Sequence, residues 1–319
     1  MITFGVDISK LKFDIFYQDQ YGKKISKTFD NKLSGFEELL KITPEKARFV
    51  MEATGNYCYD LANFLHQNDH MVFVVNPAQI KYFGQSKLRR IKTDKADAKL
   101  IYEFACVNDN LCEWRPMAAH LQQFRALQRC LQSLKLDLVQ FKNRLESERD
   151  GAVIEIFKSV IETIESKIDE VILQIRSLVQ SDDKLNRMVS LLITIPGIGE
   201  VSAWVILSEV DISNFKNAKQ LTAYAGLNPH IQKSGTSVMG RGSISKIGCK
   251  QLRKALYFPA MVALRFNPII KQFGERLKAN GKVPKVVTIA AMRKLLRIIF
   301  AVLQKDKPFD AETACPQAS

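Results

Sequence analysis

The sequence predicts an α/β domain followed by an all-α remainder, and three patterns carry that prediction. The first hundred residues alternate short apolar runs of strand period with helical stretches. Apolar side chains between Phe124 and Leu178 then recur in steps of three and four, the signature of paired amphipathic helices. Beyond them, two apolar helical stretches meet at the corner Pro196-Gly197-Ile198-Gly199.

The opening stretch, Ile2 to Lys10, places Ile2, Phe4 and Val6 at period two and sets Asp7 directly after them. Desolvating that carboxylate costs several kcal/mol, so Asp7 is either a hydrogen-bonded structural acid or a metal ligand. Phe13 to Tyr17 and Lys24 to Phe29, joined through Gln20-Tyr21-Gly22-Lys23, complete an antiparallel meander. A short helix at Gly35 to Ile42 leads to a strand at Arg48 to Met51, which ends on a second acid, Glu52. Tyr57 to Gln67 reads as helix and Met71 to Val75 as strand, terminated by Asn76-Pro77. The run KTDKADA, residues 92–98, opens a helix to about Val107 and sets Asp94 and Asp97 three residues apart on one face. First-turn acids also favour the helix dipole, so that pair has an ordinary explanation too.

Four carboxylates brought into one cleft would repel one another unless divalent cations sat between them. Oxygen ligands suit magnesium or manganese, and two such ions would clamp both oxygens of a phosphoryl displacement.

From Phe124 a helical hairpin of coiled-coil character is predicted, with its turn at Asp150-Gly151, serving as a spacer or an oligomerisation arm. Ser181-Asp182-Asp183 closes it, which divides the chain into domains at 1–112, 113–182 and 183–319. The Pro196 corner has the pattern of a helix-hairpin-helix, in which Gly197 and Gly199 would expose backbone N–H groups to phosphate; a corner used purely for packing is the competing reading. Residues 228–248 lack helical period and read as a flexible basic loop, in and after which Lys233, Arg241, Lys246, Lys250, Arg253 and Lys254 cluster. Ser234, Ser237, Ser243 and Ser245 share that loop, and His230 there has no evident role. A helix is expected from Thr288 to Leu303, with a patternless tail after Lys305.

Charge narrows the function. The chain carries a net +14, yet the segment from Lys233 to Lys307 holds seventeen Lys and Arg against Glu275 and Asp306, a local +15 that leaves the remainder at −1. That concentration is the footprint of a polyanion binder. No apolar run approaches the ~18 residues of a membrane span, and the N-terminus lacks a signal pattern, so a cytoplasmic protein without membrane partners is expected. Six scattered cysteines suggest neither a zinc site nor a disulfide framework.

The order of the first elements, with acids on the first and fourth strands, resembles the ribonuclease H-like fold. Taken with GVDISK, MEATG, VVNPAQ, KTDKADA, IPGIG, AYAGLNP, KSGTSVMGRGSISKIG and LRKALYFPAMVA, nearly the whole chain resembles the insertion-sequence transposases and site-specific recombinases related to the Piv DNA invertase, including the bridge-RNA-guided recombinases. The resemblance implies a RuvC-like acid tetrad at Asp7, Glu52, Asp94 and Asp97 holding Mg²⁺ or Mn²⁺. It also implies a serine nucleophile at Ser234, a serine–DNA intermediate, donor and target DNA, a guide RNA, and a homo-oligomer, either dimer or tetramer. A metal-dependent junction nuclease without a covalent intermediate, or a non-catalytic nucleic-acid-binding protein, are the alternatives.

Overall fold

The computed structural model describes residues 1–53, 57–87, 93–230, 233–234, 238–239 and 243–311, with backbone alone at 94, 230, 233, 234, 238 and 239. The chain divides into two compact units, Met1–Met117 and Ala118–Ser319.

The first unit contains strands β1 (Ile2–Ile8), β2 (Lys12–Gln18) and β3 (Lys24–Asp30), helix α1 (Leu33–Leu40), strand β4 (Ala47–Glu52), helix α2 (Tyr59–Gln67), strand β5 (Met71–Val75) and helices α3 (Pro77–Ser86) and α4 (Asp94–Val107). Its five strands lie in the order β3-β2-β1-β4-β5. β1 pairs antiparallel with β2, and β2 with β3, while β1–β4 and β4–β5 are parallel. Alternation along the strands sorts the side chains to two buried faces. Phe4, Val6, Phe13, Ile15, Phe49 and Met51 pack with Phe36 and Leu39 of α1 and with Leu61 and Leu65 of α2. The opposite face packs Val50, Phe73 and Val75 against Ile80 of α3 and against Leu100, Ile101 and Phe104 of α4. Each fully buried Phe contributes about 1.5–3 kcal/mol, and Phe4 stacks on Phe49 with ring centroids 4.7 Å apart.

Helix α3 stands where the sequence reading saw only a strand terminator. The Asn76 side chain accepts a hydrogen bond from the Ala78 N–H, and Pro77 occupies the first helical position, so the same dipeptide that stops β5 starts a helix.

The second unit contains helices α5 (Ala119–Ser147), α6 (Gly151–Ser181), α7 (Asp183–Ile193) and α8 (Glu200–Glu209), a 3₁₀ turn at Ile212–Asn214, and helix α9 (Ala218–Tyr224). Four two-residue strands follow: β6 (Pro229–His230), β7 (Lys233–Ser234), β8 (Val238–Met239) and β9 (Ser243–Ile244). Helices α10 (Lys250–Ala255), α11 (Tyr257–Phe266), α12 (Pro268–Ala279) and α13 (Pro284–Lys305) complete it. The expected hairpin is α5 with α6, and Asp150 caps α6 by accepting from the Ala152 and Val153 N–H groups. Leu131, Ile175 and Val179 of this hairpin share one core with Leu192, Trp204, Leu295 and Ile299. Two compact units therefore stand where three domains were expected, and Asp182 lies inside the second, closing α6 and capping α7 through the Leu185 N–H.

The expected loop at 228–248 contains short strand pairs, β6 with β9 and β7 with β8. Strands of two residues leave no periodicity to read. Part of the tail after Lys305 is docked: the Phe309 N–H donates to Thr194 Oγ1 at 2.8 Å, and Arg187 Nε donates to Asp306 Oδ1 at 3.2 Å.

Candidate active site

Register brings two of the four predicted acids together. Val6 of β1 pairs with Met51 of β4 in the parallel ladder, so Asp7 and Glu52 each stand one residue beyond that pair, at the same level. Phe4, Val6, Phe49 and Met51 occupy the face covered by α1 and α2, so alternation turns Asp7 and Glu52 to the face covered by α4.

Gly5 and Arg48 then fix how α4 crosses that face. A Cβ added to Gly5 would lie 2.3 Å from both the Ala98 carbonyl oxygen and the Tyr102 nitrogen, so the middle of α4 rests directly on β1 there. Near the start of β4, Arg48 donates from Nη1 to the Ala105 carbonyl at 3.2 Å and from Nη2 to the Asn108 carbonyl at 2.8 Å. The helix therefore runs antiparallel to β1 and β4. Its first turn overlies the ends of the strands that carry Asp7 and Glu52. From Ala98 back to Asp94 is about 6 Å of helix, and from Gly5 to Asp7 about 6.6 Å of strand, so the distances match.

Thr93 caps α4, its Oγ1 accepting from the Ala96 N–H at 3.3 Å, and Asp94 is the first helical residue. Asp7, Glu52 and Asp97 are all half-buried. Among the described residues, which exclude the Asp94 side chain, no three His, Cys, Asp or Glu groups gather at metal-holding distance. The donor set is nonetheless all oxygen, as a hard divalent cation requires. Tyr102, above Gly5, hydrogen-bonds Gln18 Oε1 at 3.3 Å, and burial together with the Cys106 thiol beside it pushes its phenol up to about 12, so it acts as a neutral donor.

Sequence reasoning passed over Asp14, which pairs directly across from Asp7 in the β1–β2 ladder. It is 7% exposed and accepts a hydrogen bond from the Thr28 hydroxyl. An acid alternating with Phe13 and Ile15 reads as solvent-facing; its burial was the unread signal, because this sheet is covered on both faces. Asp14 also lines an open cavity of about 650 Å³ with Ser9, Lys12, Thr28, Thr93 and Lys95, so two cations share that cavity with it.

The second unit presents the remaining candidates. Lys233 and Ser234 form β7, paired with Met239 and Val238 of β8, so Ser234 belongs to the second pair of that two-residue ladder. Side chains at 233 and 234, and the whole of Arg241, lie outside the described residues. Lys246, Lys250 and Lys254 are exposed. Arg253 is committed locally, donating from Nη1 to the Ala225 carbonyl at 2.8 Å.

The two corner glycines behave differently. Gly197 has φ +107°, and a Cβ there would meet the Pro259 carbonyl at 2.8 Å and the Ala263 nitrogen at 2.9 Å, so it serves the close approach of the corner to α11. Gly199, the residue before α8, has open space around it. Glu200 in the next position is bound to Arg176, Nη2 to Oε2 at 2.8 Å. No helix among the described residues is long and apolar enough to cross a membrane.

Residues 4–150 match a family described as transposase, of the DEDD IS110 type, and residues 189–275 match the family described as transposase IS116/IS110/IS902. The pilin gene-inverting protein of Moraxella bovis is 34% identical over 315 residues, covering 96% of this chain and 97% of the relative, and that of Moraxella lacunata is similar to the same degree. An uncharacterized protein of insertion element IS110 from Streptomyces coelicolor is 32% identical over 114 residues, covering 35% of this chain and 28% of the relative. The Thermus thermophilus RuvC structure aligns with 36% of this chain and all of its own, at 13% identity and a TM-score of 0.26, too low to support an inference.

Proposed function

The chain belongs to the IS116/IS110/IS902 transposase family and is an enzyme of DNA transposition or site-specific recombination; from that premise we propose that it cuts and rejoins DNA through a serine–DNA intermediate on a ribonuclease H-like acid site. The observation that carries this reading is the Asp7–Glu52 register beneath the first turn of α4. The strand order β3-β2-β1-β4-β5 supports the fold assignment.

Asp7, Glu52, Asp94 and Asp97 are the residues that would hold Mg²⁺ or Mn²⁺. When bound, such an ion neutralises charge building on a phosphate. The backbone holds these four positions in place, two in adjacent strands and two in the first turn of a helix packed on those strands. Lys12 and Lys95, in the cavity that Asp14 lines, add positive charge for the DNA backbone.

Ser234, on strand β7, is the attacking hydroxyl. Its oxygen bonds to phosphorus as the bond from phosphorus to one strand-end oxygen breaks; the serine loses its proton and the departing oxygen gains one. The phosphodiester linkage is thereby exchanged rather than spent, so rejoining needs no ATP. Lys246, Lys250 and Lys254, with Lys233, Arg241 and the uncrowded backbone at Gly199, contact DNA backbone, while Gly197 and Arg253 hold the surface that presents them. Donor and target DNA, a guide RNA and a second copy of the chain are the partners this family resemblance implies.

Ser234→Ala and Asp7→Asn test the reading with a cognate DNA substrate. Both should abolish recombination, and only the unaltered protein should give a denaturant-resistant protein–DNA adduct. Cleavage that persists in Ser234→Ala would identify a hydrolytic nuclease instead. Cleavage that persists in Asp7→Asn would remove the acid site from the mechanism.

A further inference from the structure

Helices α10 and α11 are separated only by Leu256, so residues 250–266 form an almost continuous rod. Its inner side is apolar and buried at Leu252, Leu256, Ala260 and Ala263, in steps of four, four and three. Its outer side is the unusual one. Phe258 is 73% exposed and Phe266 69%, with Tyr257 and Val262 also open to solvent. Lys254 and Arg265 are exposed among them. No acid occurs anywhere from Lys246 to Lys271.

Two phenyl rings left this open on one helix mark a surface with a partner. Charge selects the partner: a second copy laid on the same stripe would set Lys254 and Arg265 against their own kind, whereas a polyanion would be attracted. Aromatic rings interleaved with cations are the chemistry that receives single-stranded nucleic acid, bases on the rings and phosphates on the cations. Phe258 and Phe266 are eight residues apart, about 12 Å along the axis, or three to four nucleotides at ~3.4 Å each. Exchange of single strands between two duplexes passes through unpaired DNA.

We propose that the outer stripe of α10–α11 is a stacking platform for an unpaired DNA strand, an inference that rests on the recombinase reading above. Bases lie on Phe258 and Phe266, while Lys254 and Arg265 neutralise the flanking phosphates.

The test uses the full chain carrying Phe258→Leu and Phe266→Leu together, which keeps both positions apolar at an exposed surface. Fluorescence anisotropy with a thymidine 20-mer and with a 20-base-pair duplex should show a loss of at least about tenfold for the single strand. Duplex affinity and Tm should be unchanged. Restoring Phe258 to an aromatic ring as Trp should recover binding. Equal losses for both DNAs, a loss confined to uridine-rich RNA, a change in sedimenting mass, or lost binding to phosphatidylserine vesicles with intact single-strand binding would each overturn the proposal. Unchanged single-strand affinity in a variant that still recombines DNA overturns the platform alone; an unaltered protein that never cuts or rejoins DNA overturns the reading beneath it.

Discussion

Asp14 lies directly opposite Asp7 across the antiparallel β1–β2 pair, and the Thr28 hydroxyl on β3 is bound to it from the other side. A buried carboxylate thus stands next to a half-buried one on the face that α4 covers.

Thr28→Val removes the hydroxyl donor while preserving shape. An unpaired buried acceptor costs ~1–3 kcal/mol, so urea unfolding should show a stability loss of that size. Adding Asp14→Asn should recover part of it, because the buried charge disappears. A neutral Thr28→Val would mean that Asp14 does not depend on this bond.

Gly5→Ala should be far more damaging than an added methyl group usually is. Its Cβ would fall 2.3 Å from backbone atoms of α4, which cannot swing aside as a side chain tip could. Overpacking costs ~1–3 kcal/mol, and a displaced α4 carries Asp94 and Asp97 with it. Tm and the cleavage rate should fall together, whereas a variant with full stability and rate would contradict the close approach.

Gly197→Ala and Gly199→Ala separate packing from phosphate contact at one corner. The first forces a side chain into a left-handed backbone facing α11 and should lower stability by ~2 kcal/mol or more. The second, with open space and an extended backbone, should leave Tm unchanged and weaken duplex binding; unchanged affinity would remove the corner from the DNA contact.

His70 gives the first unit a predictable response to acid. It is buried edge-on to Phe49, 5.4 Å between centroids, and burial holds its imidazole below the usual value. As pH drops through about 6.5 the unfolded chain takes up a proton that the folded chain resists. Stability from this group is therefore present at neutral pH and lost toward pH 5. Tm should fall more steeply between pH 7.5 and 5.5 in the unaltered protein than in His70→Leu; parallel slopes would show that His70 does not contribute.

Most of the first unit was legible from residues alone, because its short apolar runs stand out as strands, with Gly22 marking the turn between β2 and β3 and Asn76-Pro77 the end of β5. The pairing of Asp7 with Glu52 was readable only as far as both ended strands; their shared level comes from register, which no single strand encodes. The direction of α4 hinges on a missing side chain at Gly5 and a long one at Arg48, neither of which belongs to a periodic pattern. Asp14 went unnoticed because alternation says which face a residue takes and not whether that face is wet. In the second unit, the glycine-rich corner held two readings until the contacts of Gly197 separated it from Gly199.

The α5–α6 hairpin, 29 and 31 residues long, extends about 45 Å. Its inward side chains repeat in threes and fours, so excising seven residues from each arm would subtract two turns and leave every surviving contact in phase, shortening the rod by ~10 Å. Excising three or five would rotate one flank to water. The arm can therefore be cut like a ruler, in sevens, to ask what distance it holds.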